Sequence, residues 1–373
     1  MVARGPDPSP PSRPRLAVSM GDPGGIGPEV LVKALADTRV RALARFVIHG
    51  AADAMHEAAQ AAGVEPFWWE ARRGSPLVET ARAHEVVLID DRDEGRTGYP
   101  RAPNRVAGEL SFRWVEDAIA SARLPGGDPM HADAIVTGPI SKEAWSLAGR
   151  GKYPGHTELL ATRFGSKRHA MMFVGPSLRV VLATAHVPLM DLRNILTIGR
   201  VYDAIDLGHD ACIRLGVARP RVAVCGLNPH AGEHGLLGDE EDRLITPAVR
   251  IAAEQGMDVH GPFPGDTIFS AAVGAPGRPA KYDLVVAMYH DQGLIPVKLL
   301  FRDESVNITL GLPTVRTSPD HGTAFDIAGK NRADAGSMKA ALRLAARMAN
   351  GERDQRTAGG EQPTSQPGWL QRP

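Results

Sequence analysis

Short β-branched runs alternate with alanine-rich amphipathic stretches along almost the whole of this 373-residue chain, and that alternation admits few architectures. RLAVSM (15–20), RFVIHG (45–50), EVVLID (85–90), DAIVTG (133–138), HAMMFVG (169–175), LRVVLATA (178–185), RVAVCGL (221–227) and DLVVAMY (283–289) read as strands. Segments 27–37, 51–62, 107–123, 141–149, 201–215, 242–255 and 336–349 carry apolar residues near helical spacing. The pattern predicts an α/β fold with a mixed or largely parallel sheet flanked by helices. The length allows two domains or one large one. Crossings are expected near 125–133 and after Lys298. They give a first α/β domain from 15–132 plus 305–350 and an inserted second domain over 133–304. Residues 1–14 and 351–373 are polar and rich in Gly or Pro, and read as disordered tails.

Composition excludes several function classes. Forty-three Lys and Arg balance forty-three Asp and Glu, and no basic block points to nucleic acid or an acidic membrane surface. Two cysteines, Cys212 and Cys225, fit a reducing compartment and offer neither a disulfide framework nor a Cys-rich zinc site. No apolar run is long enough to span a membrane, and the N-terminus lacks an apolar signal core, so a cytoplasmic location is expected.

Three histidines follow buried strands: His186 after VVLATA, His230 after VAVCGLNP and His290 after LVVAMY. Ligands gather at the carboxyl ends of strands in open α/β sheets, and neutral imidazole is the commonest divalent-metal ligand. Taken singly, each is more readily a structural residue. Together, at equivalent strand ends with polar company, they point to a catalytic metal with three protein ligands and open positions. MGDPGGIGPEV (20–30) is a Gly-rich turn into a helix that suits either an anion or a tight structural turn, and it lacks the dinucleotide fingerprint. GPISKEAW (138–145) sets Ser141 and Lys142 at another strand-to-helix turn, and YPGHTELLA (153–161) brings His156 and Thr157 to the start of a helical run. Thr157 suits an N-cap, and His156 suits a phosphate or carboxylate contact. Lys298, Asn307 and Arg316 stand nine residues apart in each step, on expected loops or strand ends. Apolar neighbours imply an assigned partner such as phosphate or carboxylate rather than solvent. In HGTAFDIAGK (321–330), Asp326 suits a ribose diol.

GDPGGIGPE, GPISK, YPGHTE, ATAHVPL, LNPHAGE, PGDTIF, AMYHDQ, VNITLGLP and RTSPDHGTAFDIAGK occur in that order between about Leu16 and Met348. Together they resemble the 4-hydroxythreonine-4-phosphate dehydrogenase family of vitamin B6 biosynthesis. The resemblance implies the fold of isocitrate and isopropylmalate dehydrogenases: two α/β/α domains around a cleft, with mixed sheets, assembled as a homodimer. It implies His186, His230 and His290 as ligands of one divalent ion (zinc, magnesium or cobalt), with His186 supplied by the partner subunit. His156, Thr157, Lys298, Asn307 and Arg316 would bind substrate. By analogy with the HGSAPDIAG segment of isopropylmalate dehydrogenases, His321 and Asp326 would bind NAD. Asp266 and Asp291, beside the metal segments, are candidates for orienting a ligand histidine or relaying a proton. The implied reaction is oxidation of 4-phosphooxy-L-threonine at C3 by NAD, then decarboxylation to 3-amino-2-oxopropyl phosphate. A D-threonate or D-erythronate 4-phosphate dehydrogenase is the near alternative. A dihydrodiol dehydrogenase and a phosphate acyltransferase are the more distant ones.

Overall fold

The computed structural model describes residues 13–78, 83–91, 98–128, 130–275 and 277–358. Its strands are β1 (Arg15–Ser19), β2 (Arg45–Gly50), β3 (Trp69–Arg72), β4 (Val86–Asp90), β5 (Ala134–Thr137) and β6 (Ala170–Val174). The chain continues with β7 (Arg179–Leu182), β8 (Arg221–Cys225), β9 (Asp258–Phe263), β10 (Leu284–Ala287), β11 (Val306–Leu310) and β12 (Val315–Pro319). They form one continuous mixed sheet in the order β3-β4-β2-β1-β5-β12-β11-β6-β7-β10-β8-β9. From β3 to β12 neighbours run parallel. The next three pairings, β12/β11, β11/β6 and β6/β7, are antiparallel. From β7 to β9 neighbours are parallel again.

Both faces of the sheet are buried. Along β10, Leu284 and Val286 join one apolar cluster with residues of the helices Ile198–Arg214 and Gly336–Ala358. Val285 and Ala287 join another cluster with Leu294 and Val297. This period-two division between two helical layers is why the strand reads as an unbroken apolar run. β5 falls just inside the expected second domain, yet it pairs in parallel with β1 on one side and β12 on the other. The sheet therefore passes unbroken through the expected boundary.

All eight strands read from the sequence are present, together with four that were not. β3 and β9 are the sheet edges, and their exposed positions leave no apolar run to read. β11 and β12 correct the expectation of loops or strand ends for Asn307 and Arg316, each of which is the second residue of a strand. Val306, Ile308 and Leu310 do alternate with Asn307 and Thr309, the signature of a half-buried strand. Lys298 is also corrected, because it lies in the last turn of a helix, His290–Phe301. Gly293 and Pro296 hide that helix in the sequence, since both are poor helix formers. Burial of Leu294 and Val297 against Val180, Leu182 and Val285 holds it in place. The last helix runs on from Gly336 to Ala358, into the stretch read as a tail, through residues with no proline to stop it. The remaining tail residues, 1–12 and 359–373, lie outside the described residues.

The Gly-rich turn after β1 is structural. Gly21 has φ +87°, and a Cβ there would lie 2.3 Å from the Pro139 carbonyl oxygen. Its backbone donors are used internally: Asp22 N donates to Pro139 O, Gly24 N to Asp22 Oδ1, Gly25 N to Asp22 O and Ile26 N to Thr323 O. The turn thus locks the start of the chain to the segments after β5 and β12.

Candidate active site

A cavity of about 230 Å³ opens where β5, β11 and β12 meet the helix His156–Phe164. Among the predicted residues it collects His156, Thr157, Asn307, Arg316, His321 and also His186. Arg316 lies at its base, 2 % exposed. Its Nη1 donates to Thr309 Oγ1 at 3.0 Å and its Nη2 to Thr137 Oγ1 at 2.5 Å. No carboxylate within ion-pair distance of it is found among the described residues, and its Nε has no partner. Burial lowers the Arg316 guanidinium from 12.5 to about 9, against the opposing pull of Glu158, so it remains a cation at neutral pH. His156 Nε2 and Asn307 Oδ1 are likewise sealed from solvent without partners. Burial, with Arg316 and Lys142 nearby, holds the His156 imidazole well below its usual range, hence neutral. Thr157 is the second residue of its helix, not the cap, which is Gly155, and its hydroxyl lies 3.4 Å from that of Thr309.

Two further residues of this cavity were not assigned from the sequence. Lys142 follows the N-cap Ser141 and lines the wall. Glu158, also lining it, sits 4.0 Å from His186 Nδ1, and that imidazole holds its carboxyl below the usual value. The signal for both was their place within GPISK and YPGHTE, next to residues that were singled out.

Lys298 is not in this cavity. It borders an adjoining groove of about 1040 Å³ and stands 3.3 Å from Asp320 Oδ1. Asp320, His321 and Gly322 line both spaces and so form their junction. Burial lowers the His321 imidazole, and its Nε2 has no partner. Asp326, expected beside a ribose, is exposed and outside the lining of the groove. Ala324 and Ile327 of the same turn do line it, and the nearest carboxylate of that stretch is Asp334. The turn 324–327 directs its apolar side chains inward and Asp326 outward.

The three histidines follow β7, β10 and β8, which are adjacent and parallel, so their carboxyl ends lie side by side. The His186 and His290 rings are 5.8 Å apart between centroids. His230 borders a neighbouring space of about 620 Å³ with Asp266, Asp291 and Gln292. Each histidine presents Nδ1 to a carboxylate: His290 to Asp291 at 2.7 Å, His230 to Glu233 at 3.0 Å, and His186 to Glu158 at 4.0 Å. That leaves Nε2 free on all three, the arrangement of metal-binding histidines oriented by acids. The donor set fits a divalent ion. Among the described residues, however, no three such side chains of one chain are close enough to hold it. His186 is the histidine whose ring lies against His290 within the chain, while His230 shares its space with Tyr289 and Asp291. Asp291 is placed to orient the His290 ring, and Asp266 lines the His230 space.

His230 opens a left-handed turn. Residues His230, Ala231, Gly232, Glu233 and His234 have φ of 52°, 54°, 82°, 45° and 56°. For non-glycine residues this costs roughly 1–2 kcal/mol each, so the surrounding structure must enforce it.

The family described as pyridoxal phosphate biosynthetic protein PdxA matches residues 42–345. A 4-hydroxythreonine-4-phosphate dehydrogenase of Geobacter metallireducens is 45 % identical over 91 % of this chain and 97 % of its own length. A D-threonate 4-phosphate dehydrogenase of Cupriavidus necator is 46 % identical, covering 90 % and 97 %. The solved 4-hydroxythreonine-4-phosphate dehydrogenase of Klebsiella pneumoniae superposes with a TM-score of 0.74 at 39 % identity, over 91 % of this chain and 100 % of that one. A terephthalate 1,2-cis-dihydrodiol dehydrogenase of Burkholderia xenovorans is more distant, with a TM-score of 0.60 at 29 % identity over 89 % and 97 %. The chain belongs to the PdxA family of pyridoxal phosphate biosynthetic proteins.

Proposed function

We propose that this chain is a 4-hydroxythreonine-4-phosphate dehydrogenase, oxidising 4-phosphooxy-L-threonine at C3, with decarboxylation to 3-amino-2-oxopropyl phosphate. One observation carries the substrate class. A buried arginine without a carboxylate partner shares a small cavity with the unpartnered polar atoms of His156 and Asn307. A buried cation of this kind calls for an anion, and a phosphate accepts hydrogen bonds from several donors at once. Arg316, His156, Thr157 and Lys142 would hold the phosphate and so place C3. Lys298, facing the groove, would meet the substrate or cofactor from that side.

NAD is the proposed cofactor, lying in the groove with His321 at its junction with the substrate cavity. It would accept the hydride from C3. The groove's volume suits a large ligand, and the carboxylate of Asp334, which lines it while Asp326 does not, is the candidate for a ribose diol. His186, His230 and His290 would hold one zinc, magnesium or cobalt ion, which when bound would acidify the C3 hydroxyl. Asp291 and Glu158 would keep the Nδ1 atoms of their histidines engaged, and Asp266 is the remaining candidate for moving a proton.

A homodimer would complete this centre. Each histidine segment carries exposed apolar side chains: Leu189 and Met190 after His186, Leu236 after His230, Ile295 and Leu299 after His290. Exposed apolar surface around an incomplete polar site suits a second copy. In this arrangement His230, not His186, would come from the partner. No helix among the described residues is long and apolar enough to cross a membrane. Two buried free cysteines accord with the proposed cytoplasmic setting.

The second reading, D-threonate 4-phosphate as substrate, is favoured by the Cupriavidus relative. Glu158 weighs against it, because a carboxylate in the cavity suits the ammonium of an amino acid better than a hydroxyl. NADH formation across 4-phosphooxy-L-threonine, D-threonate 4-phosphate and D-erythronate 4-phosphate, each with its dephosphorylated counterpart, tests both. The amino acid phosphate should give the highest kcat/KM. Equal turnover of dephosphorylated 4-hydroxythreonine would refute the phosphate assignment.

A further inference from the structure

Two polar side chains outside the candidate ligand set, Thr184 and Gln292, bind the three histidine segments to one another, and a third, Glu241, braces the His230 segment. Thr184, buried two residues before His186, donates its hydroxyl to Met288 O at 2.6 Å. Met288, two residues before His290, donates its N–H to Gln292 Oε1 at 2.7 Å. The other end of the same amide, Gln292 Nε2, donates to Gly226 O at 2.7 Å. Gly226 ends the strand segment that leads to His230.

Glu241 braces the His230 segment itself. Its carboxylate is buried and belongs to the turn of helix that follows the His230 segment. Oε1 accepts from Leu227 N at 2.7 Å and Asn228 N at 2.8 Å, and Oε2 accepts from Asn228 Nδ2 at 2.9 Å. It also fills the inside of the left-handed turn, where a Cβ on Gly232 would fall 2.7 Å from Glu241 Oε2. The strained backbone that raises His230 is therefore wrapped around this carboxylate.

We infer that Thr184, Gln292 and Glu241 form a bracket that fixes, in each chain, the His186 and His290 segments beside each other and the direction in which the His230 segment projects, so that each chain offers two ligands to its own divalent ion and His230 to its partner's. They are positioning residues and need not touch the ion or the substrate. The geometry is economical: the single amide of Gln292 spans two strand ends, and both of its polar ends are used. A side chain that merely filled space between β8 and β10 would need neither. This inference rests on the metal reading of the three histidines.

Co²⁺ binding to the metal-stripped full-length protein tests it, read by calorimetry and by the visible absorption of the bound ion. Gln292→Met and Thr184→Val should weaken Co²⁺ by about 10–100-fold, the usual effect of removing an outer-shell partner. Thr184→Ser, which keeps the hydroxyl, should restore wild-type affinity and spectrum. Glu241→Gln, which keeps one acceptor oxygen, should fall between. The melting temperature of each metal-free variant separates loss of fold from loss of site. Unchanged Co²⁺ affinity in folded Gln292→Met and Thr184→Val proteins would overturn the bracket, as would equal losses in the Thr184→Val and Thr184→Ser variants. Wild-type Co²⁺ binding that is indifferent to His290→Ala would instead overturn the metal reading itself.

Discussion

At the scale of single residues, Arg316 offers the sharpest prediction because its substrate-binding and stability roles oppose each other. Without ligand it is a buried cation bonded only to neutral hydroxyls among the described residues. Replacing a buried charge by an apolar side chain of similar volume is often neutral or stabilising, by about 1–4 kcal/mol. Arg316→Met should therefore melt no lower than wild type in the absence of substrate. Its kcat/KM for the phosphate ester should fall by about 100-fold or more, the scale of a lost charge-assisted contact. A variant that is both less stable and equally active would contradict this. Lysines 142 and 298 separate in the same way. Lys142→Met should raise KM for the phosphorylated substrate by about tenfold. It should leave NAD affinity, measured by fluorescence titration, unchanged. Raised NAD dissociation instead would remove Lys142 from the cavity. The grouping of His156, Asn307 and Arg316 in one cavity was only partly visible in the sequence: Asn307 stands out between Val306 and Ile308, and His156 at the start of a helical run. The division of lysines between cavity and groove was not, since it depends on a helix that Gly293 and Pro296 conceal.

At the scale of elements, the turn between β1 and the helix Gly27–Ala36 carries a pH-dependent term. Asp22 is fully buried, and burial raises its carboxyl from 3.8 to about 6, against the lowering effect of the Gly24 N–H. A carboxyl raised in the folded state favours folding relative to its ionised form at low pH. That contribution is complete below about pH 4 and is lost as pH rises through about 6. Asp22→Asn keeps an oxygen for Gly24 N and removes the charge. It should raise the stability above pH 7 by up to about 3 kcal/mol, at about 1.4 kcal/mol per unit, and with it the melting temperature, and have little effect near pH 4. Thermal melts of both proteins from pH 4 to 8 check this, and a difference that shrinks as pH rises would refute it. This turn was ambiguous in the sequence between anion site and structural joint. Only the use of its N–H groups by Pro139, Thr323 and Asp22 decides for the joint. β11 was recoverable in principle from its period-two pattern, whereas β12, buried throughout but with Arg316, Thr317 and Ser318 at its centre, and the short, largely exposed edge strands β3 and β9 were not.

At the scale of the whole molecule, the sheet order brings the segments of three histidines far apart in sequence to one end of the sheet. β7, β10 and β8 are neighbours in one parallel set, which strand recognition alone does not reveal. The location of each histidine at a strand end was legible, but the pairing among them was not. His186 and His290 lie ring to ring in one chain, and His230, on the left-handed turn, lines a space that the exposed Ile295 and Leu299 also line. The proposed catalytic centre is shared between two copies, with His230 contributed across the interface. Subunit exchange between inactive variants tests that most directly, with NADH formation as the readout. Chains carrying His230→Ala mixed with chains carrying His290→Ala should regain activity, because one site of each mixed dimer would recover all three ligands. Chains carrying His186→Ala mixed with His290→Ala should stay inactive. Recovery in the second mixture and not the first, once mass spectrometry has shown that subunits exchange, would contradict the shared centre as drawn here.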